Sequence, residues 1–475
     1  MSGAALQSRV EAMMTRLERE DVCMHGFILS VDGREKASAY YAPFREGQPH
    51  RMYSVSKTFT ALALSFLLDE GKVGLDDRIV DFFPDYLPES PDPWLCRLTI
   101  RDMLRMTTCF RSTAYREGVD EDWTRPFFTA PATHAPGAVF YYDTGCSQVL
   151  AALVKRLSGM EAIDLLNWRL FPALGADDKK YWLRDPSGAC QGGTGLCMSL
   201  RDLHKTAWAV MQDGAGILPA WFCREMGRCH IATPMQTNQE ERFGYGWQCW
   251  RTRAGWAMYG LGGQLAVCCP DKRALFSTIA DTRLDPVGVQ RIYDAFFEEV
   301  YPFIGAEDMP PVRYEKKVIA LAHDPACERS HPGVYCFEEN MLGFKSLELR
   351  ARRLIWENAR GRCELPFGLG ENVETPFPGW PEVPALSSGG WLPEASRLGT
   401  LPAALICCSP SGKTALPCRL GIPSIQSPMP LTVWQRVICV HSSTWGSAPF
   451  QENKRLKRGA IALMRGGGYV RGSAP

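Results

Sequence analysis

Apolar residues recur with the period of a helix at the start of the chain, and runs of strand-forming residues follow. Five apolar residues between Leu6 and Leu17 recur about one helical turn apart among charged neighbours, which predicts an amphipathic helix over residues 1–20. Two runs of strand-forming residues follow and flank Asp32-Gly33, a dipeptide typical of tight turns. The pattern therefore predicts a β-hairpin made of residues 27–31 and 37–41.

The segment 54–68 is apolar around most of a helical circumference, which predicts a helix buried in a core. Gly71 lies just past its end, where glycine commonly terminates a helix. Ser54 and Lys57 stand at its start, three residues apart. Because residues at this spacing share a helix face, the hydroxyl and the amine are expected to meet.

In the rest of the first 305 residues, the pattern predicts a mostly helical segment followed by strands and a final helix. Segment 71–218 is mostly helical in pattern, and two of its helices open at Thr99 and Ser199, each followed three residues later by an aspartate that can complete a capping box. Strands are predicted at 245–250, 256–259, 265–269 and 275–280, and an apolar-faced helix at 287–300. This order favours an α+β fold, an α/β sandwich in which one antiparallel sheet is flanked by helices and joined to a mostly helical subdomain.

Three segments follow this 1–305 domain. Residues 306–325 contain Pro310-Pro311 and are predicted to form a linker, and short strands with turn residues predict a small, possibly incomplete β-rich module over 326–384. Residues 385–475 hold no aspartate and only two glutamates against ten lysines and arginines, and they are crowded with proline, serine and glycine. We interpret this tail as disordered, or as a reading frame that is not native.

Composition and charge narrow the function. The 475-residue chain is 45% hydrophobic and 22% charged with a formal net charge of +1, which argues against nucleic acid or a membrane surface as the partner. The 18 cysteines form no Cys-x-x-Cys pair and the 8 histidines no His-x-x-x-His pair, so neither a metal nor another cofactor is predicted. With no signal-peptide pattern and no membrane span, reduced cysteines and a cytoplasmic location are expected, whereas the oligomeric state stays open.

Ser54 and Lys57 carry the chemistry that the sequence suggests. A lysine desolvated beside a serine loses proton affinity, and its neutral amine can act as the general base that a serine nucleophile needs. The alternative is structural: Ser54 would cap the helix and Lys57 would extend its amine to the surface. The helix alone does not decide between these interpretations.

Two later motifs could complete a catalytic site around this pair. Tyr142 lies in a loop followed by Asp143 and Thr144, and a tyrosine there can face a cleft. Gly260-Leu261-Gly262-Gly263-Gln264 connects two predicted strands, where glycines let the backbone approach a substrate closely. The structural alternatives are a packing tyrosine and an ordinary turn.

The order of these motifs resembles the serine β-lactamase and penicillin-binding-protein superfamily, and within it class C β-lactamases and related carboxylesterases. The resemblance covers about residues 5–303. It implies that Ser54 is acylated, that Lys57 accepts its proton and that Tyr142 relays protons to the leaving group and to water. The backbone amides of Ser54 and Gln264, next to Gly262 and Gly263, would form the oxyanion hole.

Two positions depart from the pattern of that superfamily. Thr144 stands where asparagine is usual, and Leu261 stands where lysine, histidine or tryptophan is usual. Because a cation at the second position helps hold the carboxylate of a β-lactam, Leu261 disfavours β-lactams and peptides. We therefore predict a serine hydrolase acting on esters or related small acyl compounds. The alternatives are a non-catalytic binding protein, which Thr144 and Leu261 would favour, and a β-lactamase or D-amino-acid peptidase.

Overall fold

The computed structural model describes most of the first 314 residues and a set of strands beyond them. The described residues are 3–42, 44–112, 115–116, 119–283, 285–305, 310–314, 333–336, 345–350, 352–358, 361–369, 373–377, 380–391, 404–409 and 419–420. Within them, no helix combines the length and apolar character needed to cross a bilayer.

A mixed sheet forms the centre of the first 314 residues. The strands of this part are β1 (Met24–Val31), β2 (Arg34–Tyr40), β3 (His50–Arg51), β4 (Tyr181–Trp182), β5 (Leu196–Met198), β6 (Trp250–Thr252), β7 (Gly255–Gly260), β8 (Gln264–Cys269), β9 (Ala274–Ala280) and β10 (Val312–Arg313). Among the described residues, seven of them form one sheet in the order β10-β2-β1-β9-β8-β7-β6. All its neighbours are antiparallel except β10 and β2, and β3, β5 and β4 form a separate small sheet.

Helices cover both faces of the large sheet. In the described residues they are α1 (Gly3–Arg19), α2 (Val55–Asp69), α3 (Ile100–Leu104), α4 (Thr144–Ser158), α5 (Ala162–Arg169), α6 (Leu200–Met211), α7 (Ala220–Met226) and α8 (Gly288–Ala295), and α8 continues into a π-helical turn (Phe296–Val300). One apolar core lies between the sheet and the terminal helices α1 and α8, and a second surrounds α2 and α4. The predicted α+β architecture, with its antiparallel sheet and helical subdomain, is confirmed.

Helix α2 folds as its pattern predicts. Its residues are buried from Val55 to Leu68. At its end the amides of Gly71 and Lys72 donate to the carbonyls of Leu68 and Leu67, and Gly71 has a φ of +67°. These are the two hydrogen bonds of a Schellman motif, in which glycine takes the left-handed position without a Cβ clash. The C-terminal end of the helix is therefore fixed in the core that the site occupies.

The predicted hairpin and both predicted helix starts are also confirmed. Asp32 and Gly33 both have positive φ in the turn between β1 and β2. Thr99 and Asp102 complete a reciprocal capping box, and the Ser199 side chain accepts a hydrogen bond from the Asp202 amide. These features are local, so the sequence is sufficient to place them.

The strand predicted over 245–250 is wrong in extent, because β6 begins only at Trp250. Gln248 has a φ of +56° and the Gly246 amide donates to the Cys249 carbonyl, so the chain turns where a strand would continue. Tyr245 keeps isolated bridges to Ile231 and Trp250. The apolar residues of this segment are buried in a compact loop rather than along a strand.

The β-rich module contains the three strands predicted for it and others. Its described strands are β11 (Gly333–Cys336), β12 (Ser346–Arg350), β13 (Arg353–Asn358), β14 (Gly361–Pro366), β15 (Gly368–Leu369), β16 (Val373–Phe377), β17 (Trp380–Trp391), β18 (Ala404–Ser409) and β19 (Arg419–Leu420). β11 to β14 form an antiparallel meander. Asn358 pairs with Gly361, as the predicted turn requires, whereas the turn predicted at Glu339-Asn340 lies outside the described residues.

Two segment boundaries differ from those predicted. Residues 312–313, inside the expected linker, pair with β2 as β10, because an edge strand needs only free backbone groups and no side-chain period. The boundary at residue 384 falls inside β17, which pairs with β16 and β18. The described parts of the tail, 385–391, 404–409 and 419–420, are therefore strands rather than disordered chain, and the remainder of the tail lies outside the described residues.

Candidate active site

Ser54 lies at the N-terminus of α2, on the turn that leads out of β3. The residue before it, Tyr53, has a φ of +48°, a left-handed conformation that aromatic residues rarely adopt. Two contacts hold it there: the Tyr53 hydroxyl accepts a hydrogen bond from Arg283 Nη1 at 2.9 Å, and the Arg51 guanidinium lies 4.9 Å from the ring centroid. Such strain persists only where the surroundings fix it, and here it sets the direction in which Ser54 leaves the turn.

Lys57 lies one helical turn further on and is 1% exposed. Its Nζ is 3.0 Å from Ser54 Oγ and donates to the Gly193 carbonyl at 2.9 Å. Burial lowers the pKa of Lys57 to about 7, while the charge of Asp143 acts in the opposite direction. A lysine with this pKa is partly neutral near pH 7 and can accept a proton from its neighbour.

Tyr142 also lies beside Ser54. Its hydroxyl is hydrogen-bonded to Ser54, and its ring centroid is 4.8 Å from Lys57 Nζ. The ring stacks on Trp250 at 5.4 Å and meets Tyr245 edge to face. Burial raises the pKa of Tyr142, so the phenol stays protonated at neutral pH. The structure thus brings Ser54, Lys57 and Tyr142 together, as the resemblance implies.

Asp143 and Thr144 follow Tyr142 at the start of α4. Asp143 is the N-cap, and its Oδ1 accepts a hydrogen bond from the Gly145 amide at 2.9 Å. Thr144 packs against Gly193: a Cβ built on Gly193 would lie 2.5 Å from Thr144 Cγ2 and 3.4 Å from Lys57 Nζ. Only glycine at 193 leaves room for the threonine and the lysine side by side.

Gly193 and Asp143 are site residues to which sequence reasoning assigned no role. The signal for Gly193 was weak, because it lies in a glycine-rich stretch that could equally be an ordinary turn. Asp143 lies between Tyr142 and Thr144, the two residues of the motif. It acts on Lys57 through its charge, and the spacing of residues in the sequence does not reveal such an effect.

The glycine-rich turn after β7 lies beside β9. The Gly263 amide donates to the Gly260 carbonyl at 3.2 Å, and Gly262 and Gly263 have φ values of +89° and +94°. Leu261, at the tip, is 49% exposed. The buried Gln264 side chain turns back onto the chain, where its Nε2 donates to the carbonyls of Leu261 and Ala280. Only the backbone amide of Gln264 is thus left for an oxyanion.

The described residues hold no group of three or more His, Cys, Asp or Glu side chains arranged for a metal ion. The site instead combines a hydroxyl, an amine of lowered pKa and a phenol of raised pKa around one atom, Ser54 Oγ. These are the groups of nucleophilic catalysis with internal proton transfer.

The sequence profile of the Beta-lactamase family matches residues 20–290, more than half of the 475 residues. The chain belongs to the beta-lactamase family. The matched segment includes all eight residues predicted for the site, from Ser54 to Gln264. Their individual roles stay predictions.

Two curated proteins are similar to the chain in sequence. The 6-aminohexanoate-dimer hydrolase of Paenarthrobacter ureafaciens is 26% identical over 232 residues, covering 44% of this chain and 58% of the relative. Esterase EstB of Burkholderia gladioli is 24% identical over 213 residues, covering 39% and 54%. The chain spans between half and two thirds of the length of these relatives.

A solved structure has a similar fold. The D-amino acid amidase from Ochrobactrum anthropi SV3 superimposes with a TM-score of 0.50 at 17% identity, over 62% of this chain and 99% of the amidase. At this identity the likeness concerns the fold alone.

Proposed function

We propose that the protein is a serine hydrolase that acts on esters or related small acyl compounds through an acyl-Ser54 intermediate. One observation carries the proposal: Ser54 Oγ is 3.0 Å from the buried Lys57 amine, whose pKa is lowered to about 7. The membership of the beta-lactamase family supports the reaction type.

The proposed reaction has two halves. Neutral Lys57 takes the hydroxyl proton as Ser54 Oγ attacks the acyl carbon, and the amides of Ser54 and Gln264 stabilise the negative charge that develops on the carbonyl oxygen. Tyr142 passes a proton to the leaving oxygen as its bond to carbon breaks. Water then attacks the acyl carbon, gives its proton to the Lys57 and Tyr142 pair, and releases Ser54 as a hydroxyl.

The cleft favours neutral over anionic substrates. Leu261 supplies no charge at the tip of the turn. Arg283 lies close to that turn, but its Nε and Nη2 are each 2.8 Å from an oxygen of Asp281, so this pair is neutral as a whole. A substrate carboxylate at this turn would therefore lose its water shell without gaining a free cation from Leu261 or Arg283. We extend the proposal to a small neutral acyl compound as the partner and to a cytoplasmic location.

Labelling Ser54 tests the function. A fluorophosphonate is expected to phosphonylate Ser54 of the wild-type protein with loss of fluoride, and short p-nitrophenyl esters are expected to acylate it with loss of p-nitrophenol. Ser54→Ala is expected to lose both labelling and turnover because no other group replaces the nucleophile. Mass spectrometry of the intact protein and of its peptides measures the adduct. The matched control is Ser65→Ala, since Ser65 lies on the same helix and its hydroxyl donates only to the Leu62 carbonyl. A wild-type protein that takes no label and turns over no ester would sink the proposal.

Activity is expected to depend on pH through Lys57. Because the neutral amine is the base, kcat/KM should rise as pH increases through about 7 and level off above it. The Asp143 charge raises the pKa of Lys57, so Asp143→Asn should move this rise to lower pH. Asparagine keeps an oxygen for the Gly145 amide, which preserves the cap.

Profiles of kcat/KM against pH measure this shift. Asp164→Asn, an exposed change on α5, is the control that should leave the profile in place. A rise that moves to higher pH in Asp143→Asn would contradict the assignment of Lys57 as the titrating base.

A further inference from the structure

The glycine-rich turn is held by a hydrogen bond to each of its three carbonyl groups. The Leu261 carbonyl accepts from Gln264 Nε2 at 3.0 Å, and the Gly262 carbonyl accepts from the Thr282 amide at 3.1 Å. The Gly263 carbonyl accepts from Thr278 Oγ1 at 2.8 Å. The last of these involves a side chain from the neighbouring strand β9, and no step of the proposed reaction uses it.

The Thr278 bond fixes the orientation of one peptide group. In a planar trans peptide the C=O of one residue and the N–H of the next point in opposite directions. Because the Gly263 carbonyl is turned onto Thr278, the Gln264 N–H is turned away from it. Glycine crosses between positive and negative φ readily, so the turn itself offers little resistance to rotation of this peptide.

Thr278 is placed to act only in this way. Its side chain is fully buried, and its backbone is held between β1 and β8, where it pairs with Phe27 and Leu265. The backbone that carries the hydroxyl is therefore flanked by a paired strand on each side. Because the side chain is fully buried, the hydroxyl is not accessible from solvent.

The second amide of the proposed oxyanion hole is fixed independently. The Tyr53 carbonyl accepts from the Ser56 amide at 3.0 Å, which turns the Ser54 N–H out of the helix start. The two amide-bearing segments are in direct backbone contact, because a Cβ on Gly260 would lie only 2.1 Å from the Met52 carbonyl oxygen. The Gly263–Gln264 peptide is the part of the proposed hole that the Thr278 hydroxyl contacts.

We propose that Thr278 is a positioning residue whose hydroxyl holds the Gly263–Gln264 peptide with its N–H available to the oxyanion. The inference rests on the proposed acyl-Ser54 reaction. Without the hydroxyl, the peptide can rotate and present its carbonyl oxygen, which would repel the developing negative charge. The effect belongs to the transition state and not to substrate binding.

Thr278→Val tests the inference, since valine keeps the branched shape and removes the donor. With short p-nitrophenyl esters, and with rates normalised to active sites titrated by fluorophosphonate, kcat is expected to fall by about 10- to 100-fold while KM changes by less than about threefold. Thr278→Ser restores the hydroxyl and is expected to return kcat to within about threefold of wild type. The infrared carbonyl band of the acyl-Ser54 ester should move to higher wavenumber in Thr278→Val, because a weaker oxyanion hole polarises the carbonyl less.

Other results would overturn the inference. The inference is wrong if Thr278→Val keeps a kcat within about threefold of wild type and its infrared carbonyl band does not move. Thr278→Ser as impaired as Thr278→Val would also overturn it, by showing that packing is what matters. If valine does not fold at this position, Thr278→Ala is judged by the same criteria. A wild-type protein that takes no phosphonate removes the proposed function first and the inference with it, whereas labelled wild type with an unimpaired valine variant removes only the inference.

Discussion

Lys57→Met is expected to lower kcat/KM for short p-nitrophenyl esters by about 10³- to 10⁴-fold, towards the upper end of what loss of a general base costs. Methionine fills nearly the same buried volume but cannot accept the Ser54 proton. It removes a buried ionisable group but leaves the Gly193 carbonyl without its donor, so the free energy of unfolding should fall by no more than about 1–3 kcal/mol. Steady-state kinetics and thermal unfolding measure the two effects separately.

Lys72→Met provides the comparison for this result. Lys72 follows the end of the same helix and pairs with Glu70 at 3.0 Å on the surface, so its loss should leave the rate unchanged. Lys57→Met with a wild-type rate would remove the assigned base. A loss of activity that accompanies a large drop in melting temperature would instead show that the lysine has a structural role.

The sequence could predict those parts of the site that depend on local spacing. Ser54 and Lys57 lie on one face of α2 because a helix brings residues three apart together, and the apolar run showed that this face is buried. Burial in turn predicts the direction of the Lys57 pKa, and the structure agrees with that direction. The glycines at 262 and 263 likewise predict positive φ, which both adopt.

The remaining contacts join residues that are distant in sequence, and no local pattern contains them. The Gly193 carbonyl reaches Lys57 across 136 positions, and Arg283 reaches Tyr53 across 230. In the sequence, nothing distinguishes Thr278 from the other apolar-strand residues around it. Its contact with Gly263 arises only when the strands pair in the sheet. The segment around Tyr245 shows a different limit. Its residues are typical of a strand and are buried, but they lie in a loop.

Burial has opposite effects on the two proton-transfer groups of the site. Desolvation favours the neutral form of any ionisable group, so it lowers the pKa of Lys57 and raises that of Tyr142. Near pH 7 the amine can therefore accept a proton while the phenol keeps one to donate. Burial of a single site thus separates base from acid, while the Asp143 charge acts against the shift of the Lys57 pKa.

Tyr142→Phe is the second change with a large expected effect, a fall in kcat/KM of about 10²- to 10⁴-fold. If Tyr142 donates a proton to the leaving oxygen, the loss should be greater for an alkyl ester, whose alkoxide is a poor leaving group, than for a p-nitrophenyl ester. Comparing the two ester classes for wild type and variant measures this difference. Tyr141→Phe is the matched control, because the neighbouring ring packs beside His134 and its chemistry is the same. An alkyl ester hydrolysed by Tyr142→Phe at the wild-type rate would show that the proton comes from elsewhere, and Lys57, already protonated by Ser54 at that stage, would become the acid.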